Sequence, residues 1–212
     1  MSIAVIQGES RVVLTNIRWA TFEALLAEND RRNTRFTFDR GVLEIMSPSR
    51  EHERTKRVLG RMIETMTLEL DIPISSGGST TLKDQFKERG VEPDECYYVA
   101  HERLVRERDD LDLSVDPPPD LAIEVDISAS SMDQLGIYAA LRVPEIWFCD
   151  GASIDVYVLQ SGGTYARCER STTFPFLPID GVQRFLERRT SDDETTLLRA
   201  FRDWVVTLCR EP

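Results

Sequence analysis

The sequence predicts an α/β (α+β) fold: a mixed β-sheet flanked by helices, with an N-terminal hairpin extension and a C-terminal helical tail. Three observations lead there. The run "LAIEVDISASSMDQLGIYAALRVPEIWFC", Leu121 to Cys149, reads as strand, helix, strand. Parallel neighbours need such a long crossover, and a helix usually supplies it. Two hairpins, around Asp39-Arg40-Gly41 and around Gly162-Gly163, add antiparallel pairs. A long amphipathic helix between Ser49 and Asp71 carries Val58, Leu59, Met62, Met66 and Leu70 on one face, which needs a sheet to cover it.

The elements follow in order. Trp19 to Asp30 has helical spacing at Phe22, Leu25 and Leu26, with Thr21 as the expected N-cap. In the first hairpin Phe36 and Phe38 alternate before the turn, Val42, Leu43, Ile45 and Met46 return after it, and Pro48 ends the strand. Ser49 is placed to cap the long helix. "SSGGSTTLKD" turns and runs into a strand, and a further strand, Glu95 to Ala100, is entered through Pro93-Asp94. "RERDDLDLSVDPPP" is a polar connection closed by three prolines. The crossover then reads as a strand over Leu121 to Ile127, a helix from about Ser131 to Leu141, and a strand from Glu145 to Cys149. Ile154, Val156 and Val158 alternate in the last hairpin. Two helices end the chain, the second begun by Ser191-Asp192 with Glu194 placed for a capping box. Their apolar residues, among them Phe185, Leu197, Phe201 and Trp204, would cover the sheet or form a dimer surface. One domain over 1–212 is expected, with a core over about 17–178 and a helical C-terminal extension over about 181–212.

Composition sets limits. Of 212 residues, 41% are hydrophobic and 30% charged, as in a globular protein. No apolar run approaches the roughly 20 residues of a membrane span. "MSIAVIQGES" has neither a basic start nor a long apolar stretch, so no signal peptide is read and the cytoplasm is the expected location. Cys96, Cys149, Cys168 and Cys209 lie far apart, which argues against a zinc site and a disulfide frame. The net charge of −11 argues against a protein that coats nucleic acid, but not against an enzyme with a local basic groove.

The chemistry lies in the acids. Alternation along the strand puts Asp120, Glu124 and Asp126 on one face, with Ala122 leaving room beside Glu124. Asp94 opens an earlier strand. Were the two strands neighbours, Asp94 and Glu124 would meet, and a carboxylate pair of this kind can hold Mg²⁺ or Mn²⁺ with water completing the shell. Such an ion polarises a phosphoryl oxygen and lowers the pKa of bound water. A nearby lysine would orient that water or stabilise transition-state charge. Structural readings compete: Asp120 as the opening residue of its strand, Asp126 as a helix cap, His52 as a first-turn helix residue. Glu124 has the weakest of them, because an ionised acid inside an apolar strand needs a cation or strong donors. Glu44 and His52, flanking the turn into the long helix, are secondary candidates, as are Asp120 and Asp126. Tyr97 and Tyr98 read as packing, and Arg54 and Arg57 as a solvated face.

"GVLEIMSPSREHE", "GVEPDECYYV", "PPPDLAIEVDISASSMDQLGIYAALRVPEIW" and "TFPFLP" resemble, in order, the sequence blocks of the Uma2 family, in the PD-(D/E)XK nuclease-like superfamily, widespread in bacteria. The resemblance spans roughly Ile17 to Leu177. It implies a restriction-endonuclease-like fold and a hydrolase that cuts DNA phosphodiester bonds with Mg²⁺ or Mn²⁺, with a homodimer as the common way to cut two strands. Asp94 of "EPD" matches the superfamily's strand aspartate, and Glu124 of "IEVD" the acid of its half-motif. Glu44 is implied as a further metal-site acid. Where the half-motif lysine would stand, this chain has Asp126. In many members the lysine stands four residues before the tyrosine that is here Tyr138, and that position is Gln134, which can orient water but carries no charge. The lysines are Lys56, Lys83 and Lys87, so Lys83 is the substitute nearest Asp94 in sequence. Asp94 and Glu124 favour a metal-dependent endonuclease. Gln134 and the acidic balance favour the alternative, a nuclease-like domain without catalysis that binds DNA or a protein. A weaker third reading is a metal-dependent hydrolase acting on a smaller substrate.

Overall fold

The computed structural model describes residues 9–28, 34–126 and 132–208. In chain order it forms β1 (Ser10–Leu14), α1 (Trp19–Glu28), β2 (Arg35–Asp39), β3 (Val42–Ser47) and α2 (Arg50–Glu69). Four short strands follow, β4 (Ser75–Ser76), β5 (Leu82–Asp84), β6 (Arg89–Val91) and β7 (Glu95–Tyr98), and then α3 (Glu102–Val105). The second half holds β8 (Leu121–Val125), α4 (Gln134–Leu141), β9 (Glu145–Cys149), β10 (Ile154–Leu159), β11 (Tyr165–Cys168), α5 (Ile179–Glu187) and α6 (Glu194–Leu208).

The fold is α+β, as the sequence predicts, but the described strands form two sheets rather than one. A five-stranded sheet runs β1-β3-β2-β6-β5 and a six-stranded sheet β11-β10-β9-β8-β7-β4. Glu92-Pro93 divides them: proline donates no hydrogen bond to a ladder, so β6 ends before it in one sheet and β7 begins after it in the other. In the larger sheet β8 and β9 pair in parallel around α4, and β7 pairs antiparallel with β8. Every residue of β8 is buried, as befits a central strand covered on both faces. One face, with Leu121, Ile123 and Val125, packs against α2, α5 and α6. The other, with Ala122, packs against Ile137, Tyr138 and Leu141 of α4. The smaller sheet buries Phe36, Phe38 and Leu43 under Trp19 and Phe22 of α1.

Several boundaries move for local reasons. α1 begins at Trp19, and the N–H groups of Thr21 and Phe22 both donate to the carbonyl of Arg18, so Thr21 lies inside the first turn. Ser49 does cap α2, accepting the N–H of His52 at 3.1 Å. The cap of α4 is Asp133, which accepts from Gly136, so this helix starts at Gln134; Ile127 to Ser131 lie outside the described residues. α6 is opened by Asp193, which accepts from the N–H and hydroxyl of Thr196. Glu194 reaches across to Arg61 instead of closing a capping box. β1, β6 and α3 were not read from the sequence; at three to five residues they carry too little periodicity.

Two predictions arise here. A Cβ on Gly181 would lie 2.2 Å from the indole of Trp204, so α5 and α6 meet through a glycine. Gly181→Ala is expected to cost about 1–3 kcal/mol by overpacking, read as a melting temperature lowered by roughly 2–10 °C. Burial pushes the thiol of Cys96 up to about 12 and that of Cys149 up to about 11. Native protein treated with iodoacetamide at about pH 8 should leave both unmodified by peptide mapping, and unfolded protein should not, since the thiolate is the reactive form. Among the described residues no helix is long and apolar enough to cross a membrane.

Candidate carboxylate site

The two sheets meet at the C-terminal end of β8, and there the acids gather. In the smaller sheet Phe36, Phe38 and Leu43 turn towards α1, so the alternate residues Arg35, Thr37 and Glu44 occupy the opposite face. Val13 pairs with Glu44 and Arg11 with Met46, which sets Arg11 diagonally across the ladder from Glu44. The guanidinium of Arg11 lies 2.8 Å from Glu44, 2.9 Å from Asp126 and 3.3 Å from Glu9. Burial pulls the pKa of Arg11 down, but the charges of Glu44, Asp126 and Glu9 outweigh it and the group ends above its ordinary value.

Asp94 enters from the other sheet. Its own N–H donates to Ile123 of β8, and its Oδ2 accepts the N–H of Val125 at 2.8 Å. Asp94 Oδ1 lies 2.8 Å from Nε2 of His52, and Arg35 Nε stands 3.8 Å from the same oxygen. Nδ1 of His52 meets Glu9 at 2.5 Å. Burial lowers the pKa of His52, yet the carboxylates on both ring nitrogens raise it further, and the net direction is up.

Glu124 faces α4 from β8. Its Oε1 accepts from the hydroxyl of Tyr138. Its pKa stands well above the usual glutamate range, first because it is buried and second because Asp94 is close. Burial and Glu124 likewise raise Tyr138. Continued by one residue, the β7–β8 register sets Asp94 opposite Glu124, and the charge of Asp94 is one cause of the raised Glu124 pKa.

The other candidates separate. Glu44, Asp126 and His52 join the cluster through Arg11 and Asp94. Gln134, the first residue of α4, is one turn before Tyr138 and thus on the same helix face, but its side chain bonds to neither carboxylate. Lys83 is elsewhere: it is half-exposed on the edge strand β5 and paired with Glu23 of α1 at 3.1 Å. Proximity in sequence misplaces it because β6 and Pro93 intervene before Asp94. Asp120 is also elsewhere, at the opposite end of β8. It accepts the N–H groups of Val99 and His101 and lies 2.6 Å from the His101 ring, so it closes a local turn. Tyr97 and Tyr98 are fully buried packing residues. Three participants were not read from the sequence. Glu9 and Arg11 carry no local signal, and Tyr138 is signalled only by its spacing from Gln134, which puts it on the helix face towards Glu124.

Among the described residues no three His, Cys, Asp or Glu side chains form a cluster able to hold a metal ion by themselves. Asp94 and Glu124 are each held by hydrogen-bonding partners that fix their orientation.

No curated protein matches the chain. A family model does: Uma2, "Putative restriction endonuclease", matches residues 19–186. The matched region holds Asp94, Glu124, Glu44, His52 and Tyr138, and leaves Glu9 and Arg11 outside. The chain belongs to the Uma2 family, with the restriction-endonuclease-like α+β fold.

Proposed function

We propose that the protein is a divalent-metal-dependent endonuclease that hydrolyses DNA phosphodiester bonds at Asp94 and Glu124. The observation that carries this reading is Glu124: a buried carboxyl beside a second acid, with one hydroxyl as its donor among the described residues. An acid pair held this close is destabilising unless a cation or proton joins it. Mg²⁺ is commonly bound by one or two carboxylates, waters and substrate phosphates, so the pair suffices without a third ligand. Each oxygen of Asp94 already accepts one hydrogen bond and keeps a second lone pair for an ion. Glu44, offered as a ligand on sequence grounds, holds Arg11 instead.

An ion bound there would polarise the phosphoryl oxygen and lower the pKa of an attacking water. The protein's own groups prepare the site. His52, steadied by Glu9, fixes one oxygen of Asp94, and the Val125 N–H fixes the other. Tyr138 sets the rotamer of Glu124. Gln134 is on the right face of α4 to orient water. Cutting both strands of a duplex with one such site calls for a homodimer.

The test is cleavage of supercoiled plasmid and of single-stranded DNA in Mg²⁺ and Mn²⁺ against an EDTA control. Nicking that EDTA abolishes is the expected result. The second reading, a nuclease-like binding domain, is favoured by Asp126 in the lysine position and by Lys83 lying outside the site. DNA bound without cleavage under any metal would select it.

A further inference from the structure

We propose that Arg11 is a catalytic cation of this site, contacting a non-bridging oxygen of the phosphate under attack; this rests on the endonuclease reading above. Five acids, Glu9, Glu44, Asp94, Glu124 and Asp126, converge there with Arg11, Arg35 and His52. An anionic substrate can approach such a cluster only where a cation faces outward. The His52 side chain is fully buried, that of Arg35 is 8% exposed and that of Arg11 14%. Asp126, a partner of Arg11, is 22% exposed and is the more open side of the pair. Glu53, 3.7 Å from Arg35, is more open still at 47%, but of the three cations Arg11 is the most exposed.

Sequence position agrees with the geometry. Asp126 stands two residues after Glu124, where a cation would be expected in the half-motif, and the acid there holds a guanidinium brought from β1. The positive charge missing from β8 is thus returned by another strand. β1 lies before the matched residues 19–186, whereas Glu44 and Asp126 lie within them. A guanidinium fork matches phosphate oxygens as well as carboxylates, so a phosphate can take the place of Asp126 on Arg11 while Glu44 keeps it aimed. In hydrolysis the water oxygen bonds to phosphorus, the bond to the leaving oxygen breaks, and that oxygen ends with the proton the water loses. Arg11 stays protonated throughout and donates hydrogen bonds to the non-bridging oxygen as its charge grows.

The test compares wild type with Arg11→Ala, Arg11→Lys and Arg11→Ala/Asp126→Lys. It reads kcat and KM for duplex cleavage, duplex affinity in EDTA by fluorescence anisotropy, and melting, with rates expressed per folded protein. Arg11→Ala should lose on the order of a hundredfold in kcat, the scale of one transition-state donor, and several-fold in metal-free affinity. Arg11→Lys, which keeps a counter-ion for Glu44 should the alanine variant not fold, should fall between. The double variant should recover much of the loss, because it restores the cation from β8. Wild-type kcat in folded Arg11→Ala overturns the proposal. So does faster cleavage with tighter Mn²⁺ binding, which would make Arg11 a plug. A loss of rate with metal-free affinity unmoved and no recovery in the double variant overturns it in favour of a structural clasp. A wild type that binds DNA but never cleaves it overturns the endonuclease reading and the catalytic role together. Even then metal-free affinity decides the contact: a several-fold loss in Arg11→Ala supports phosphate on Arg11, and no loss removes it.

Discussion

Glu124→Gln should lower metal-dependent cleavage by on the order of a thousandfold, from the several kcal/mol that a metal ion contributes to transition-state stabilisation, while leaving the fold as stable as wild type or more so. The two effects have one cause. The ionised form of Glu124 is disfavoured in the native state by burial and by Asp94. A glutamine resembles the protonated acid, keeps an oxygen for the Tyr138 hydroxyl, and removes the repulsion. Asp94→Asn should lose cleavage equally but also lose stability, because Asp94 accepts the Val125 N–H and lies against His52 and Arg35. Lys83→Ala, on the far edge of the smaller sheet, should change neither. The stability difference depends on pH with a fixed sign. In metal-free buffer the raised pKa of Glu124 means that the native state keeps the carboxyl proton to higher pH than the unfolded chain does. Native wild type therefore binds more protons above the usual glutamate range, and its stability falls as pH rises towards the raised folded pKa. The melting gap between Glu124→Gln and wild type should widen over the same rise. A variant less stable than wild type at all pH values would show Glu124 to be a structural acid.

This pairing of lost activity with retained stability is what separates a site that sequence can reveal from one it cannot. Glu124 was legible because an acid within Leu121, Ala122, Ile123 and Val125 contradicts its surroundings, and such contradictions concentrate at functional sites. Asp94 was legible because Pro93 fixed where its strand begins. Ser49 and the β8–α4–β9 crossover were legible from local chemistry and periodicity. The division into two sheets was not, since β5 and β6 are three residues each, and the pairing of β6 with β2 and of β5 with β6 is decided by tertiary packing of Leu82 and Val91 against α4. Arg11 was hidden for a related reason. One arginine in "ESRVVL" gives no sign of a partner, and it is the one residue of the five in β1 that is not exposed. Its value comes from a diagonal contact to Glu44 and a contact to Asp126, 115 positions away, and neither leaves a local trace.

The largest effect on stability is expected at an acid that plays no part in the site. Glu145 opens β9 opposite Leu121, at the other end of the parallel pair from Glu124, which faces Phe148. It is fully buried, and its pattern of contacts is the reverse of that at Glu124. Oε2 accepts the N–H groups of Thr172 and Thr173 at 2.7 and 2.8 Å and lies within reach of both threonine hydroxyls. Oε1 accepts the indole N–H of Trp147 at 2.6 Å. A buried carboxylate with this many donors is well compensated, and it ties the loop after β11 to the centre of the larger sheet. Glu145→Ala would strand the buried indole N–H of Trp147, at about 1–3 kcal/mol, and would release the backbone donors of exposed Thr172 and half-buried Thr173 from the sheet. A total loss of roughly 3–5 kcal/mol in denaturant unfolding is expected, in the range for breaking a buried charge network. Glu145→Gln is a sharper probe. Its oxygen can serve Thr172 and Thr173, but its NH₂ then faces the Trp147 N–H, donor against donor. Trp147→Phe removes that conflict, so the double variant should lose less stability than the two single losses added together. Simple additivity would mean that Glu145 and Trp147 are uncoupled. In every folded fraction the cleavage rate should stay at the wild-type value, because Glu145 lies at the opposite end of the parallel pair from Glu124.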